Sequence, residues 1–64
     1  MIKVGLKYRK SFGEGDIYEV MEIDGSISYI RNNNHPDPKE DRNKWVNTSG
    51  LEYQIKEGKY SKVQ

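Results

Sequence analysis

Apolar and polar side chains alternate over the first segment of the chain, where the apolar residues are Ile2, Val4, Leu6 and Tyr8. Alternation at every second residue predicts a β-strand with one buried face. Two glycines within residues 11–15 then predict a turn. The apolar residues of 17–23 predict a second strand.

Asp24-Gly25 directly follows the second predicted strand, and residues 26–31 form another β-prone run. An Asp-Gly pair between two such runs predicts a β-hairpin. Glycine suits this turn because it adopts positive φ without steric cost. We therefore expect positive φ at Gly25.

The length of the hairpin loop decides which side chains of the two strands meet. An even loop places the apolar residues of the second strand beside the serines of the return strand. An odd loop with a bulge places them beside Ile27 and Tyr29, and lets Glu19 meet Arg31. We favour the odd loop because it gathers the larger apolar side chains on one face.

The second half of the chain is more polar. Residues 32–43 contain two prolines and no aliphatic residue, which predicts one long loop that is either mobile or functional. Residues 44–48 predict a short strand, and the alternation over 51–56 predicts another. Residues 59–63 form either a closing strand or an irregular tail. No segment predicts a helix.

Five or six short strands within 64 residues predict one all-β domain spanning residues 1–64. So small a domain buries little apolar surface, so we also expect that a partner or a second copy of the chain covers more of it. The residues predicted to form the core are Ile2, Val4, Leu6, Val20, Met21, Leu51 and Ile55.

Residues 12–23 resemble the diverging turn and following strand of SH3 domains, in which an aromatic residue, Gly-Asp and an apolar strand follow one another. Residues 6–8 are similar to the aromatic motif that ends the first strand of that family. The resemblance implies a small antiparallel SH3-like barrel of five or six strands. It does not extend to the family's proline-rich peptide site, because the loop before the turn is short and the Trp pair after the hairpin is absent.

The residue types present argue against catalysis and against a metal or cofactor site. The chain has no Cys and a single His, His35, which lacks the partners of a closed metal site or a catalytic triad. Residues 13–15 lack the Lys-Ser/Thr and following helix of a phosphate loop. We therefore predict no catalytic residue, no metal and no cofactor.

The absence of Cys, of a signal peptide and of a membrane-length apolar run favours a cytoplasmic protein without membrane contact.

Charges are unevenly placed although they nearly cancel, with 11 Lys and Arg against 10 Asp and Glu. The first ten residues carry four bases and no acid, whereas residues 14–24 carry five acids and no base. Adjacent strands of opposite charge often pair across a sheet, and we expect such pairing here.

A non-catalytic protein-binding module is our first functional hypothesis. Interface hot spots are enriched in Trp, Tyr and Arg, and loops on rigid barrels often carry recognition. Since the chain is short and begins with Met1, we interpret it as a phage-like accessory protein that binds and modulates a host protein. The predicted protein-binding residues are Trp45, Tyr29, Arg31, His35 and Lys44.

Two alternatives stay open. Trp45 is either a surface anchor or a cap on the core, because large aromatic side chains bury much area. The domain could instead bind nucleic acid through its basic first strand, although the acidic stretch next in sequence opposes a polyanion. The residues predicted for nucleic-acid binding are Lys3, Lys7, Arg9, Lys10 and Arg31.

Overall fold

One antiparallel sheet and one helix make up the secondary structure of the computed structural model, which describes residues 1–12 and 15–63. The sheet is open, with strand order β4-β3-β2-β1-β5. A small β-rich fold with five antiparallel strands is thus confirmed. The elements are β1 (Lys7–Lys10), β2 (Tyr18–Asp24), β3 (Ile27–Asn32), β4 (Lys44–Asn47), α1 (Thr48–Lys56) and β5 (Tyr60–Val63).

The helix α1 replaces the strand predicted over residues 51–56, and that prediction was wrong. Asn47 caps the helix N-terminus, because its side-chain oxygen accepts the backbone N–H of Gly50 at 3.0 Å. At the other end, Lys59 N–H donates to Gln54 and Gly58 N–H donates to Ile55, while Gly58 has φ +83°. These are the hydrogen bonds of a Schellman motif, which satisfies the last helical carbonyls.

The first strand begins later than the sequence predicts. Residues 1–6 include a turn at Val4 and Gly5, and β1 starts at Lys7. The turn leaves Val4 61% exposed, so its predicted place in the core was wrong. Lys7 lies directly opposite Glu19 of β2, which confirms that the basic and acidic segments pair.

The β2–β3 hairpin contains a bulge at Met21. The hairpin loop has an even number of residues, and next to it Ile23 lies opposite Ser28. The predicted odd loop was therefore wrong. The unpaired bulge residue shifts the register by one, and Glu19 then lies opposite Arg31 as predicted.

The hairpin loop consists of Gly25 and Ser26, since Asp24 pairs with Ile27. Gly25 has φ +61°, which confirms the predicted positive φ, and no non-glycine residue described has positive φ. Glycine at the first loop position with positive φ matches a type II′ hairpin.

We expect Gly25→Ala to destabilise the domain by about 1 kcal/mol, because a side chain at this φ is strained. A Cβ at Gly25 meets nothing within 4 Å, so the cost comes from the backbone alone. Gly50→Ala is the matched control, since Gly50 lies in the helix with only ordinary contacts around an added Cβ. The control should stabilise by up to about 1 kcal/mol in urea unfolding. Two shifts of the same sign would contradict the assigned turn.

The core lies between the sheet and the helix. Its buried apolar members are Ile2, Tyr8, Val20, Ile30 and Leu51. Of the predicted core, Ile2, Val20 and Leu51 are confirmed as buried, while Leu6 and Ile55 are partly buried against them. Met21 is half-buried at the bulge.

Two buried asparagines fix the loop over residues 32–43. The Asn43 side chain accepts the Asn32 backbone N–H at 2.7 Å and donates to the carbonyls of His35 and Asp37. The Asn32 side chain accepts the N–H groups of Asn34 and His35. Side-chain amide hydrogen bonds therefore hold the loop in place at both ends.

The predicted turn over 11–15 falls partly on residues 13 and 14, which lie outside the described residues.

Candidate binding site

Trp45 lies on the outer face of the sheet, opposite Tyr29 in the β3–β4 pair. The two rings pack with their centroids 5.5 Å apart and tilted by 60°. Trp45 nevertheless stays 42% exposed, so it is a surface residue and does not cap the core. Alternation along β3 places Ile27 and Arg31 on the same face, and Ile27 is also exposed. We call Ile27, Tyr29, Arg31 and Trp45 the Trp45 patch.

Arg31 is held at the border of this patch. One of its guanidinium nitrogens lies 3.7 Å from a Glu19 carboxylate oxygen. The guanidinium also donates to the side-chain oxygen of Asn33 at 3.3 Å. These contacts limit the rotamers of Arg31, so this side chain would lose less conformational entropy when an interface forms here.

The other two residues predicted for protein binding lie elsewhere. Lys44 precedes Trp45 and pairs with the buried Ile30, so it belongs to the inner face. The His35 imidazole is 4.0 Å from a carboxylate oxygen of Asp16, at the loop end of the sheet. The structure thus brings three of the five predicted residues together.

The residues predicted for nucleic-acid binding are divided between the faces of β1. Lys7 and Arg9 share one face, while Lys10 shares the other with Tyr8. Lys3 lies exposed before β1, and Arg31 is paired with Glu19. The structure therefore places these five residues on more than one surface.

A groove on the inner face was missed by sequence reasoning. It has a volume of about 420 Å³ and lies between the sheet and α1. No Asp or Glu is among its described lining residues. The side chains that define this tyrosine groove are Tyr8, Tyr18, Tyr60, Lys10, Arg42 and Lys44.

The three tyrosines are packed together. The Tyr8 ring stacks on Tyr18 with centroids 5.7 Å apart, and lies 5.2 Å from the Tyr60 ring. Burial raises the pKa of Tyr8, and the neighbouring phenols of Tyr60 and Tyr18 raise it further. Tyr8 is therefore a neutral phenol at physiological pH, able to donate a hydrogen bond and adding no negative charge to the groove.

Arg42 is the most strongly engaged cation of the groove. Its guanidinium donates to Glu40 at 2.8 Å and to Asp16 at 3.2 Å. The hydrogen bond from Arg42 lowers the pKa of Glu40, and the same bond raises the pKa of Arg42. Lys10 and Lys44 form no ion pair within residues 1–12 and 15–63.

No protein-family model, curated protein or solved structure matches this chain. Among the described residues, no helix has the length and apolar character needed to cross a membrane. Nor do three or more His, Asp or Glu side chains group as metal ligands in that part of the chain.

Proposed function

We propose that this chain is a small, non-catalytic binding module that recognises a protein partner through the Trp45 patch. The observation that carries the proposal is the exposure of Trp45 beside Tyr29 and Arg31 on one sheet face. Trp, Tyr and Arg are the residue types most enriched among interface hot spots. Here all three occur on neighbouring strands.

The position of the patch in the sheet supports the same proposal. Ile27, Tyr29 and Arg31 are in β3, which pairs with both β2 and β4, while Trp45 is in the edge strand β4, which is held by its ladder to β3. Anchors on a rigid sheet lose little conformational freedom on binding, which favours affinity.

For the framework of the module we propose an SH3-like barrel. Tyr8 of β1, Ile30 of β3 and Leu51 of α1 meet in one core, and a sheet that curves toward a barrel would enclose such a core. β1 pairs with β5 on one side and β2 on the other, so the ends of the chain are joined within the sheet. The likeness of residues 12–23 to the SH3 diverging turn supports the same framework.

We expect Trp45→Ala to weaken partner binding by about 2 kcal/mol or more, roughly 30-fold, while the domain stays folded. The fold should survive because Trp45 is not part of the core. Binding is measured by affinity capture from nuclease-treated lysate, followed by titration with the purified captured protein, and folding by circular dichroism.

Tyr53→Ala is the matched control, because Tyr53 is another exposed aromatic residue but lies on α1, outside the patch. It should leave binding unchanged. A Trp45→Ala variant that folds and binds normally would contradict the proposed surface. If purified wild-type chain self-associates and only Trp45→Ala is monomeric, the partner is a second copy.

A further inference from the structure

The tyrosine groove is chemically distinct from the Trp45 patch. Its described lining contains three cations and no carboxylate, whereas the outer face carries Glu19 and Glu22. Arg42 pairs with Glu40 and Asp16, so among the described residues the remaining positive charge of the groove comes from Lys10 and Lys44. A groove of this charge is complementary to an anion.

The groove also offers aromatic rings at its surface. Tyr18 and Tyr60 are only partly buried, and both pack against the buried ring of Tyr8, which holds them in place. Lys10 lies directly opposite Tyr60 in the β1–β5 pair, so a cation and an aromatic side chain are neighbours on one face.

Beyond Tyr60 the groove continues into a second depression. The two share Lys10, Gln54 and Tyr60, and the second also includes Phe12, Lys59 and one carboxylate, Glu57. Phe12 is 98% exposed, so its ring is accessible to a ligand. Aromatic side chains and lysines therefore occur along one continuous path.

We propose that this path binds single-stranded nucleic acid, with bases against Tyr18, Tyr60 and Phe12 and phosphates at Lys10 and Lys44. Sequence-independent binding of single strands combines a positive groove with aromatic rings on which successive bases stack. An acidic peptide would match the charge of the groove, but it has no planar ring in each residue that could stack on the aromatic side chains. The proposal is independent of the proposed protein-binding function, because Trp45 lies on the other face of the sheet.

Binding of a fluorescein-labelled oligothymidylate of about eight nucleotides, measured by fluorescence anisotropy, tests this proposal. We expect the double variant Lys10→Gln, Lys44→Gln to raise Kd about tenfold or more and to reduce the slope of log K against log salt by about 1.4, which corresponds to two phosphate contacts. The control is Lys3→Gln, Lys7→Gln, which removes equal charge outside the groove and should change Kd little.

A pair of variants at Tyr60 isolates stacking from charge. Tyr60→Phe keeps the ring and should bind like the wild type, whereas Tyr60→Leu should raise Kd about tenfold. Circular dichroism confirms that each variant folds, and Tyr60→Phe serves as the conservative reference if Tyr60→Leu does not. The Trp45→Ala variant should bind the oligonucleotide normally, which separates failure of this proposal from failure of the protein-binding one.

Several results would overturn the proposal. They are no binding at low salt, equal loss of affinity in the Lys3, Lys7 control, and equal affinity for a duplex of the same length, in which the bases cannot stack on side chains. Binding of a labelled poly-glutamate peptide in preference to the oligonucleotide would assign the groove to acidic peptides instead.

Discussion

Leu51→Ala is expected to remove a large part of the free energy of unfolding of the domain. Leu51 is the buried residue of α1 and is only 5% exposed. Truncating a buried leucine costs about 2 to 5 kcal/mol, from lost transfer free energy and the cavity left behind. A domain of this length has only about 3 to 10 kcal/mol of stability in total. The measurement is urea unfolding followed by circular dichroism.

Tyr53→Ala is the control on the same helix, because Tyr53 is exposed. It should change stability by about 0.5 kcal/mol or less. Helix propensity cannot explain a loss at Leu51, since alanine is the better helix former. If both variants unfold at the same urea concentration, Leu51 does not anchor the helix to the sheet.

The hairpin was predictable because its signals are local. Gly25 follows an apolar run and precedes another, and glycine is the residue that such a turn requires. The bulge at Met21 was not located, because nothing in the apolar pattern marks which residue stays unpaired. Its position follows from packing across the sheet, where Val20 and Ile30 face each other in the core.

The helix was missed because a short segment can satisfy two periodicities. Leu51, Tyr53 and Ile55 alternate like a strand, yet Leu51 and Ile55 are also four residues apart, on one face of a helix. The signals that could have decided are Asn47 before the segment and Gly58 after it. They occupy the N-cap and C′ positions of α1. These two helix-end signals are stronger evidence than the alternation of three apolar side chains.

The binding surfaces depend on pairing that is distant in sequence. Tyr8 and Lys10 share a strand face by simple alternation, so two of the six residues that define the tyrosine groove can be predicted from the first strand. Tyr60 joins them only because β5 pairs with β1 in a register that places it opposite Lys10. The face on which Trp45 lies is likewise set by the β3–β4 register, which places Trp45 opposite Tyr29 on the outer face.

Asn43→Ala is expected to destabilise the domain by about 2 to 4 kcal/mol, since each buried polar group left without a partner costs about 1 to 3 kcal/mol. The substitution removes one acceptor and two donors at once. Asn43→Ala leaves the Asn32 N–H and the His35 carbonyl without this partner, whereas the Asp37 carbonyl still accepts the Glu40 N–H at 2.9 Å. Loop opening that admits water to the first two groups should keep the loss below the sum of their two costs.

Asn34→Ala is the matched control, because Asn34 lies in the same loop, is exposed, and its side chain forms no hydrogen bond with the described residues. It should shift stability by about 0.5 kcal/mol or less. Amide hydrogen exchange provides a local readout, because the Asn32 N–H is held by the Asn43 side chain. In Asn43→Ala the Asn32 amide should exchange much faster under native conditions, while the Val20 amide, held by the Leu6 carbonyl, stays protected. Unchanged exchange at Asn32 would show that the loop is ordered by contacts other than the asparagine pair.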